Sequence, residues 1–395
     1  MKKILVLMGY KVLNYGSALQ SCATVEMLKR VGMEPEVLNL DILWGKFRRK
    51  KIKFYLSGGG IRFILQSKGG MYLSKVTKLL HPDYRKKIKN RKEKFSLFLE
   101  KRLRYTPKVK NLREAAMLSE SYDFALLGSD QVWLPSSVVT DVYTLNFVSD
   151  NVKKIAYAPS FGIQNIPKRY WKVYRKMFFS INCIALREDS GKKIVEDIAG
   201  RKCNVVADPV LMLNRDDWKK IIKTQMLRTE KYAFCYMIGK NKWQREWIIK
   251  YASEHNLRTV AIIHLDQRIS YDEKFFDKAL VDASLEEFLN LIRYAEVVFT
   301  DSYHCTLFSL IEHRKFWCFK RFDDGRRIST NSRLYSILKR LSLEERLLTD
   351  GNAETMMENN EIDYNDVDKR LDVFREESYR FLIESMERYC DDRNY

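Results

Sequence analysis

The chain has 395 residues, of which 46% are hydrophobic, 31% charged and 13% aromatic. This composition is that of a globular protein and excludes a disordered chain, and the length predicts two domains with additional elements. No uncharged apolar run reaches the ~18 residues of a membrane-spanning helix. The apolar run at residues 4–8 is too short for a signal peptide and no small-residue cleavage site follows it, so we interpret it as a buried first strand.

The formal net charge is +20, and it is concentrated in one segment. Residues 46–113 contain 23 Lys or Arg but only three acidic residues, so the rest of the chain has equal numbers of basic and acidic residues. Such a basic segment attracts an anionic surface, which can be lipid head groups, nucleic acid or a diphosphate-linked substrate. From the sequence alone, a solvated helix face explains the segment equally well.

Seven cysteines are scattered along the chain, and no two of them have the CxxC spacing of a zinc site. The odd number and the irregular spacing favour reduced thiols, as in a cytoplasmic protein. The sequence contains no cluster of metal ligands and no cofactor motif, so neither a metal nor a cofactor is predicted.

The predicted elements of the N-terminal part alternate between buried strands and helices. A strand at residues 3–8, a helix at 18–31 and a strand at 36–40 have the length and order of a βαβ unit. Further buried strands are predicted at 123–127 and 154–158, on either side of loops rich in turn residues. Strands this apolar are typical of a parallel sheet with both faces covered.

The alternation restarts near residue 165, where we place a domain boundary. The second half repeats the pattern, with strands predicted at 183–186, 204–207, 232–238, 259–263, 297–300 and 316–319. Two successive halves of this kind predict an α/β protein with two doubly wound, Rossmann-like domains that face a cleft. The predicted division is residues 1–165 with a basic helical insertion at 46–113, residues 166–345, and a helical tail at 346–395.

Polar loops follow five of the predicted strands. In doubly wound sheets, ligands bind beyond the carboxyl ends of the strands, so these loops are the candidate sites. One such loop says little, because polar loops cap strands in most α/β proteins, but several in one alternating chain predict a shared cleft. The five loops are residues 14–17, 128–131, 160–162, 187–190 and 301–306.

His304 lies between a buried strand and the start of a helix, with Ser302 and Thr306 beside it. Backbone N–H groups at a helix start can bind a phosphate or carboxylate, and an imidazole can add a proton or a charge. The alternative is a histidine that only caps the helix. Cys305 could act as a nucleophile only with an activating base, and no separate Cys–His–acid set is visible.

Arg187 directly follows an apolar strand, so its guanidinium can reach into the cleft and bind a carboxylate by two parallel hydrogen bonds. The alternative is a salt bridge with Glu188 or Asp189. Either role places the arginine at a strand end, where ligands of doubly wound sheets bind.

The first strand-to-helix turn contains Asn14, Gly16 and Ser17, which favours an anion or sugar site lined by backbone. It has neither the GxGxxG nor the P-loop pattern, so no dinucleotide or ATP site is predicted. Gln131 and Trp133 could hydrogen-bond and stack on a sugar, although Trp133 fits equally well as a buried anchor.

Several motifs agree in order and approximate spacing with one known family from residue 3 to about residue 340. On these motifs, the chain resembles the polysaccharide pyruvyl transferases. The motifs are Asn14-Tyr15-Gly16-x-x-Leu19-Gln20, Gly128-Ser129-Asp130-Gln131-Val132-Trp133, Tyr157-Ala158-Pro159-Ser160-Phe161-Gly162, Arg187-Glu188, Asp208-Pro209, Phe288-Leu289 and Asp301-Ser302-x-His304.

The chain departs from the family pattern around the histidine. Tyr303 and Cys305 replace the Phe and Gly that are usual there. Losing that glycine removes a freely flexible backbone point beside the site.

The resemblance implies a fold similar to the GT-B glycosyltransferases. It also implies transfer of a pyruvyl group from phosphoenolpyruvate onto a sugar diol of a cell-surface polysaccharide precursor, such as a capsule or exopolysaccharide, with release of phosphate. His304 and Arg187 match the family's catalytic positions, with no metal and no cofactor. The other implied site residues are Ser302, Thr306 and Glu188 for the donor and Asn14, Gly16, Ser17, Ser129, Asp130 and Gln131 for the acceptor.

An acceptor linked to a lipid diphosphate would place such an enzyme in the cytoplasm, peripherally on the inner face of the membrane, with the basic segment against anionic lipid. Two other functions are compatible with the sequence. One is a glycosyltransferase of the same fold that uses a nucleotide sugar. The other is a non-enzymatic binder of nucleic acid or membrane through residues 46–113, although this segment lacks a recognisable nucleic-acid-binding motif.

Overall fold

The apolar runs of the sequence form two parallel sheets in the computed structural model. The structure describes residues 1–10, 12–40, 81–265, 267–322, 331–353 and 361–387. The part of the predicted basic insertion at 46–80 and the end of the predicted tail beyond residue 387 lie outside these ranges. Within them, no helix is both long enough and apolar enough to cross a membrane.

The strands are short and mostly buried on both faces, as expected for parallel strands covered by helices. They are β1 Lys2–Leu7, β2 Met33–Val37, β3 Phe124–Leu127, β4 Lys153–Tyr157, β5 Cys183–Leu186, β6 Asn204–Val205, β7 Tyr232–Tyr236, β8 Arg258–Ile262, β9 Lys278–Leu280, β10 Val297–Thr300, β11 Lys315–Phe319 and β12 Leu347–Leu348.

Helices connect most of these strands. They are α1 Tyr15–Arg30, α2 Pro82–Glu100, α3 Leu112–Ser119, α4 Pro135–Val138, α5 Trp171–Ser180, α6 Asp189–Ala199, α7 Arg215–Ile221, α8 Lys242–Glu254, α9 Asp272–Phe275, α10 Leu285–Arg293, α11 Tyr303–Ile311, α12 Ser332–Arg340 and α13 Tyr364–Glu387.

The first sheet has the strand order β2-β1-β3-β4-β5-β6, and the second has the order β12-β11-β10-β7-β8-β9. Every strand pairing within the two sheets is parallel. In each sheet the order reverses direction once, between β1 and β3 in the first and between β7 and β10 in the second. Such reversals open a crevice at the carboxyl ends of the strands, where ligands bind in doubly wound sheets. The predicted architecture of two doubly wound domains is confirmed.

The predicted domain boundary near residue 165 is wrong. Strands β5 and β6 pair with β4 and therefore belong to the first sheet. The chain passes to the second sheet only between Val205 and Tyr232. The residues of a four-residue apolar strand do not indicate which sheet it joins. The strand–helix pattern that restarts near residue 165 therefore suggested a new domain where the first sheet in fact continues.

The predicted helical tail at 346–395 is wrong at its start, because β12 lies there and pairs with β11 in the second sheet. Helix α13, which lies further along that segment, connects the two halves. At its start, the Tyr364 hydroxyl donates to the Arg314 carbonyl oxygen at 2.5 Å, beside the second sheet. Further along, the Ser378 hydroxyl accepts from the Ala207 N–H at 2.8 Å, next to the first sheet. The helix therefore ties the carboxyl end of β6 to the second domain.

Five cysteines in the described residues are free, but Cys183 is disulfide-bonded. The prediction that the cysteines are all reduced is therefore wrong for Cys183. The free thiols include Cys305, which is fully buried. Burial raises the pKa of its thiol, which is the opposite of what a nucleophilic cysteine requires.

The apolar side chains of α2 pack into the core. Phe95, Phe98 and Leu99 are each at most 6% exposed. Arg91, on the same face, donates to the His264 carbonyl oxygen at 2.9 Å beyond the end of β8. The Phe95 ring meets the ring of Tyr15 edge-on in the first domain, so α2 packs against both halves.

Candidate functional site

The two domains meet where α1 of the first approaches α11 of the second. The Tyr15 hydroxyl donates to the Ala283 carbonyl oxygen at 2.6 Å, and its ring packs against Phe288. One residue further along α1, Gly16 lies directly against His304. A Cβ atom at Gly16 would lie 2.3 Å from the Nδ1 atom of His304, so only glycine permits this approach.

Asp208, directly beyond β6, holds the centre of the site. Its Oδ2 atom lies 2.9 Å from Nη1 of Arg187 and 3.5 Å from Nε2 of His304. The Ser129 hydroxyl donates to the same oxygen at 3.4 Å, and the Val210 N–H donates to Oδ1 at 3.0 Å. The guanidinium and the imidazole therefore come from different domains and meet at one carboxylate oxygen.

The side chain of Arg187 is fully buried among carboxyl groups. Besides Asp208, its guanidinium lies 3.6 Å from Asp130 and 3.8 Å from Glu188. Burial acts to lower the pKa of Arg187, but the surrounding negative groups, led by Asp208, outweigh it and raise the pKa. The arginine is therefore a permanent cation.

The three carboxyl groups around Arg187 differ in how readily they take a proton. Burial acts to raise the pKa of Asp208, but the charges of His304 and Arg187 hold it below its usual range. The pKa of Asp130 is also lowered, because Arg187 and His304 overcome the effect of burial. For Glu188, burial is the larger effect and raises the pKa against the opposing charge of Arg187. Groups whose environments separate their pKa values in this way are typical of sites that move protons.

Several buried nitrogen atoms of the site make no hydrogen bond within the described residues. These are Nε and Nη2 of Arg187, which carry N–H groups, and Nε2 of His304, which faces Asp208 and donates when the imidazole is protonated. Buried N–H groups are rarely left without an acceptor, and their common neighbourhood identifies a place where an anion can accept from both side chains.

Comparison with known proteins identifies the family of this chain. The family model described as polysaccharide pyruvyl transferase matches residues 14–323, which is most of the chain. The chain belongs to the polysaccharide pyruvyl transferase family. Comparison with curated proteins gives no significant match.

Solved structures of sugar-nucleotide enzymes have a similar fold. The UDP-GlcNAc 2-epimerase of Neisseria meningitidis, bound to UDP-GlcNAc, aligns with a TM-score of 0.51 and 10% identity over 98% of this chain and 99% of that chain. The UDP-N-acetylglucosamine 2-epimerase of Rickettsia bellii aligns with a TM-score of 0.50 and 10% identity over 98% of this chain and 97% of that chain. At this identity the likeness concerns the fold alone, and it confirms that this pyruvyl transferase is GT-B-like.

Most of the predicted site residues of the pyruvyl transferase lie together. Asn14 caps α1 by accepting from the Ser17 N–H at 3.2 Å. The Ser17 hydroxyl donates to Asp130 at 2.5 Å, and Ser129 contacts Asp208. Glu188, beyond β5, accepts from the Ser160 hydroxyl at 2.7 Å and lies beside Arg187.

Gly128 allows the loop after β3 to pack this tightly. Its φ is +124°, and a Cβ atom there would lie 2.0 Å from the Tyr157 carbonyl oxygen. No other residue fits between β3 and β4 at this point. The loop that begins at Gly128 carries Ser129 and Asp130 into the site.

Four of the predicted residues have other surroundings. Thr306 is fully buried and donates to the Ser302 carbonyl oxygen at 3.1 Å, while the Ser302 hydroxyl accepts from the Cys305 N–H at 3.5 Å as the helix cap. Gln131 lies against Gly162, where a Cβ atom would be 2.7 Å from its Nε2 atom. Trp133 is fully buried, so it is an anchor and not a sugar platform.

Sequence reasoning missed two residues of this neighbourhood. Asp208 was part of a recognised motif but received no role, because its partners are distant in sequence. Arg333 lies in the first turn of α12 and 5.4 Å from the ring centre of Tyr303. A cation in the first turn of a helix is unfavourable next to the helix dipole, and this is the one pattern that could have drawn attention to it.

The contact between Gly16 and His304 makes a testable prediction. Gly16→Ala should lower the free energy of unfolding by about 1–3 kcal/mol, because the new methyl group overlaps the imidazole and forces α1 and α11 apart. Denaturant unfolding measures this change. Gly9→Ala is the matched control, since a Cβ atom there meets no atom within 4 Å. Equal stability of the two variants would contradict the close approach.

Proposed function

We propose that this pyruvyl transferase uses phosphoenolpyruvate as its donor and a sugar diol of a cell-surface polysaccharide precursor as its acceptor. The observation that carries the proposal is the meeting of Arg187 and His304 at Asp208, with buried nitrogen atoms on both side chains that make no hydrogen bond within the described residues. Such an arrangement suits a small anionic substrate that must also receive a proton.

The reaction requires one proton transfer to carbon and two attacks on the same carbon. Protonation of the methylene group of phosphoenolpyruvate converts it to a methyl group and leaves an oxocarbenium-like centre at C2. One sugar hydroxyl attacks C2 and loses its proton. The bond from C2 to the phosphate oxygen then breaks, phosphate leaves, and the second hydroxyl attacks C2 and loses its proton, which closes the ketal.

His304 and Arg187 perform the donor half of this reaction. The N–H groups of Arg187 that lack acceptors bind the carboxylate or phosphate of the donor. His304 supplies the proton, and the ionised Asp208 at 3.5 Å stabilises the imidazole when it carries that proton. The side-chain contacts of Thr306 lie within its own helix and with Cys318, so only the backbone start of α11 is assigned to the donor.

Asp130 is assigned to the acceptor half. Its side chain is 20% exposed, whereas those of Glu188 and Asp208 are at most 1% exposed, so it is the carboxylate that a sugar can reach. It is held ionised by Arg187 and accepts from Ser17, which fixes its position. An ionised carboxylate can accept the proton of an attacking hydroxyl.

The proposal predicts loss of turnover without loss of the fold. His304→Ala should lower kcat/KM by at least ~100-fold, because the proton donor is removed. Arg187→Lys should lower kcat/KM by at least ~10-fold, because lysine keeps the charge but cannot form two parallel hydrogen bonds to one anionic group. The activity of both variants is measured with phosphoenolpyruvate and lipid-linked sugars as substrates, by phosphate release and by the mass of the product. The control is His255→Ala, an exposed histidine next to Tyr251.

Full activity in both variants would remove these role assignments. A glycosyltransferase that uses a nucleotide sugar is the alternative reaction for the same fold. It requires that UDP or GDP raise the melting temperature while phosphoenolpyruvate and phosphate do not. The pyruvyl transfer requires the reverse, so one thermal-shift series separates the two.

We further propose that the enzyme works at the cytoplasmic face of an anionic membrane, where a lipid-diphosphate acceptor is held. The solvent-facing side of α2 supports this placement, since it is rich in cations whereas the opposite side is buried in the core. Its exposed basic residues are Arg85, Lys86, Lys87, Lys89, Lys92 and Lys94. Cations near a surface of anionic lipid each contribute about 1 kcal/mol to binding.

Removal of three of these charges tests the membrane contact. Lys86→Gln, Lys87→Gln and Lys92→Gln together should weaken binding to vesicles that contain anionic phosphatidylglycerol by about 100-fold at low salt. Co-sedimentation of the full chain measures this. The matched control replaces the exposed Lys192, Lys193 and Lys231 with Gln. Equal binding of both variants, or preferential and steeply salt-dependent binding of RNA over vesicles, would contradict the proposal.

A further inference from the structure

Glu188 is a buried carboxyl group with one oxygen atom that has no hydrogen-bond partner. Its side chain is 1% exposed, and its Oε1 atom accepts from the Ser160 hydroxyl at 2.7 Å. The other oxygen, Oε2, makes no hydrogen bond within the described residues. Oε2 lies 3.8 Å from Nε of Arg187, which makes none there either. An anionic oxygen that binds Nε of Arg187 therefore lies within reach of this carboxyl group.

The surroundings of Glu188 favour its protonated form. Burial raises the pKa of Glu188. The positive charges of Arg187 and Arg333 oppose this shift without cancelling it, and so do hydrogen bonds from the Ser160 hydroxyl and the Phe161 N–H. An anion bound at Arg187 raises the pKa further, because it repels the carboxylate form and accepts a hydrogen bond from the carboxylic acid.

The proposed pyruvyl transfer needs two acids. His304 gives one proton to the methylene carbon of the donor. The bond from C2 to the phosphate oxygen breaks later, and its electron pair stays on that oxygen. Without a second proton, the departing group would carry one more negative charge than hydrogen phosphate, among side chains that are buried. The imidazole that has just given its proton to carbon cannot supply this one.

The other groups around Arg187 are unsuited to give the second proton. Asp208 and Asp130 are held ionised, because nearby cations outweigh the effect of burial and lower both pKa values. The ring centre of Tyr303 lies 4.9 Å from the guanidinium, but burial raises the pKa of its hydroxyl far above neutral pH. Of the three carboxyl groups around Arg187 in the described residues, only Glu188 has a raised pKa.

We propose that Glu188, in its protonated form, is a catalytic acid that gives its proton to the phosphate group of the donor as that group leaves C2. The O–H bond of Glu188 breaks, an O–H bond forms on the phosphate, and the electron pair of the C2–O bond becomes a lone pair of the phosphate oxygen. Glu188 is left as a carboxylate beside Arg187 and regains a proton from solvent before the next turnover.

The protons of the whole reaction balance with this step. The methylene carbon and the phosphate gain one proton each, and the two sugar hydroxyls lose one each, so no further reactant is required. The role of Glu188 rests on the proposed function, because it requires phosphoenolpyruvate as the donor.

Glu188→Gln tests the role, with Glu196→Gln as the matched control. Glutamine keeps the size of the side chain but has no acidic proton, and Glu196 is an exposed residue of α6, the helix that begins after Glu188. With phosphoenolpyruvate and lipid-linked sugars, Glu188→Gln should lower kcat by about 100-fold and change KM for the donor much less. Phosphate release measures both values. Glu196→Gln should be as active as the unmodified chain.

A donor whose leaving group needs no proton separates acid catalysis from a positioning role. Sulfoenolpyruvate carries a sulfate in place of the phosphate, and sulfate leaves as a stable anion without being protonated. With this donor, Glu188→Gln should lower kcat by less than about 10-fold, because the missing acid is no longer needed. The amount of ketal product, measured by mass, gives the rate for both donors.

The pH dependence of kcat with phosphoenolpyruvate gives a second readout. In the unmodified chain, kcat should fall as the pH rises through the pKa that Glu188 has in the donor complex, since the carboxylate has no proton to give. Glu188→Gln should lose this ionisation from the profile.

The melting temperature shows whether the fold survives the substitution. Because the folded-state pKa of Glu188 lies above its unfolded value of about 4.3, ionisation of the side chain opposes folding as the pH rises above that value. Glu188→Gln removes this cost and should melt no lower than the unmodified chain at pH 7.

Three results would overturn the role of Glu188 and leave the donor proposal intact. They are full activity of Glu188→Gln, an equal loss of kcat with both donors, and a pH profile that the substitution does not change. By contrast, an unmodified chain that turns over neither phosphoenolpyruvate nor sulfoenolpyruvate would overturn the donor proposal, and the role of Glu188 with it.

Discussion

The site depends on one buried carboxylate that joins the two domains. Asp208 receives Arg187 from the first domain and His304 from the second at the same oxygen atom. A buried arginine without its carboxylate is strongly destabilising, so this contact constrains the loops that carry both side chains. Because Asp208 also accepts from the Ser129 hydroxyl and the Val210 N–H, four groups fix its position.

Arg187 and His304 can reach Asp208 together only because the two domains approach closely. Gly16 leaves room for His304, Tyr15 bonds across the interface, and α13 returns to the first sheet at Ala207, one residue before Asp208. The same elements that hold the domains together therefore align Arg187 and His304. For the proposed reaction, which passes through a cationic intermediate at C2, a closed interface would also exclude water that competes with the sugar hydroxyls.

The sequence predicted the local features of this molecule better than the long-range ones. The strands and polar loops followed from runs of apolar residues and turn residues, whose pattern is set by near neighbours. The domain boundary was placed too early in the chain, because nothing in the residues of β5 and β6 indicates which of the two sheets these strands join. Asp208 and Arg333 gain their significance from partners far along the chain, so spacing could not reveal them. Gly16 was predicted to bind the acceptor, whereas the structure shows a steric need for glycine there, because a side chain would overlap His304.

The unfolding free energy of Asp208→Asn, measured from pH 3 to pH 8, tests the central contact most directly. Because the folded-state pKa of Asp208 lies below its unfolded value of about 3.9, its contribution to stability is complete above pH 4 and is lost as the pH falls toward the folded-state pKa. The variant should therefore be less stable by about 3 kcal/mol at pH 7, with a gap that narrows below about pH 4. A variant as stable as the unmodified chain at pH 7, or a gap that does not change with pH, would contradict the account.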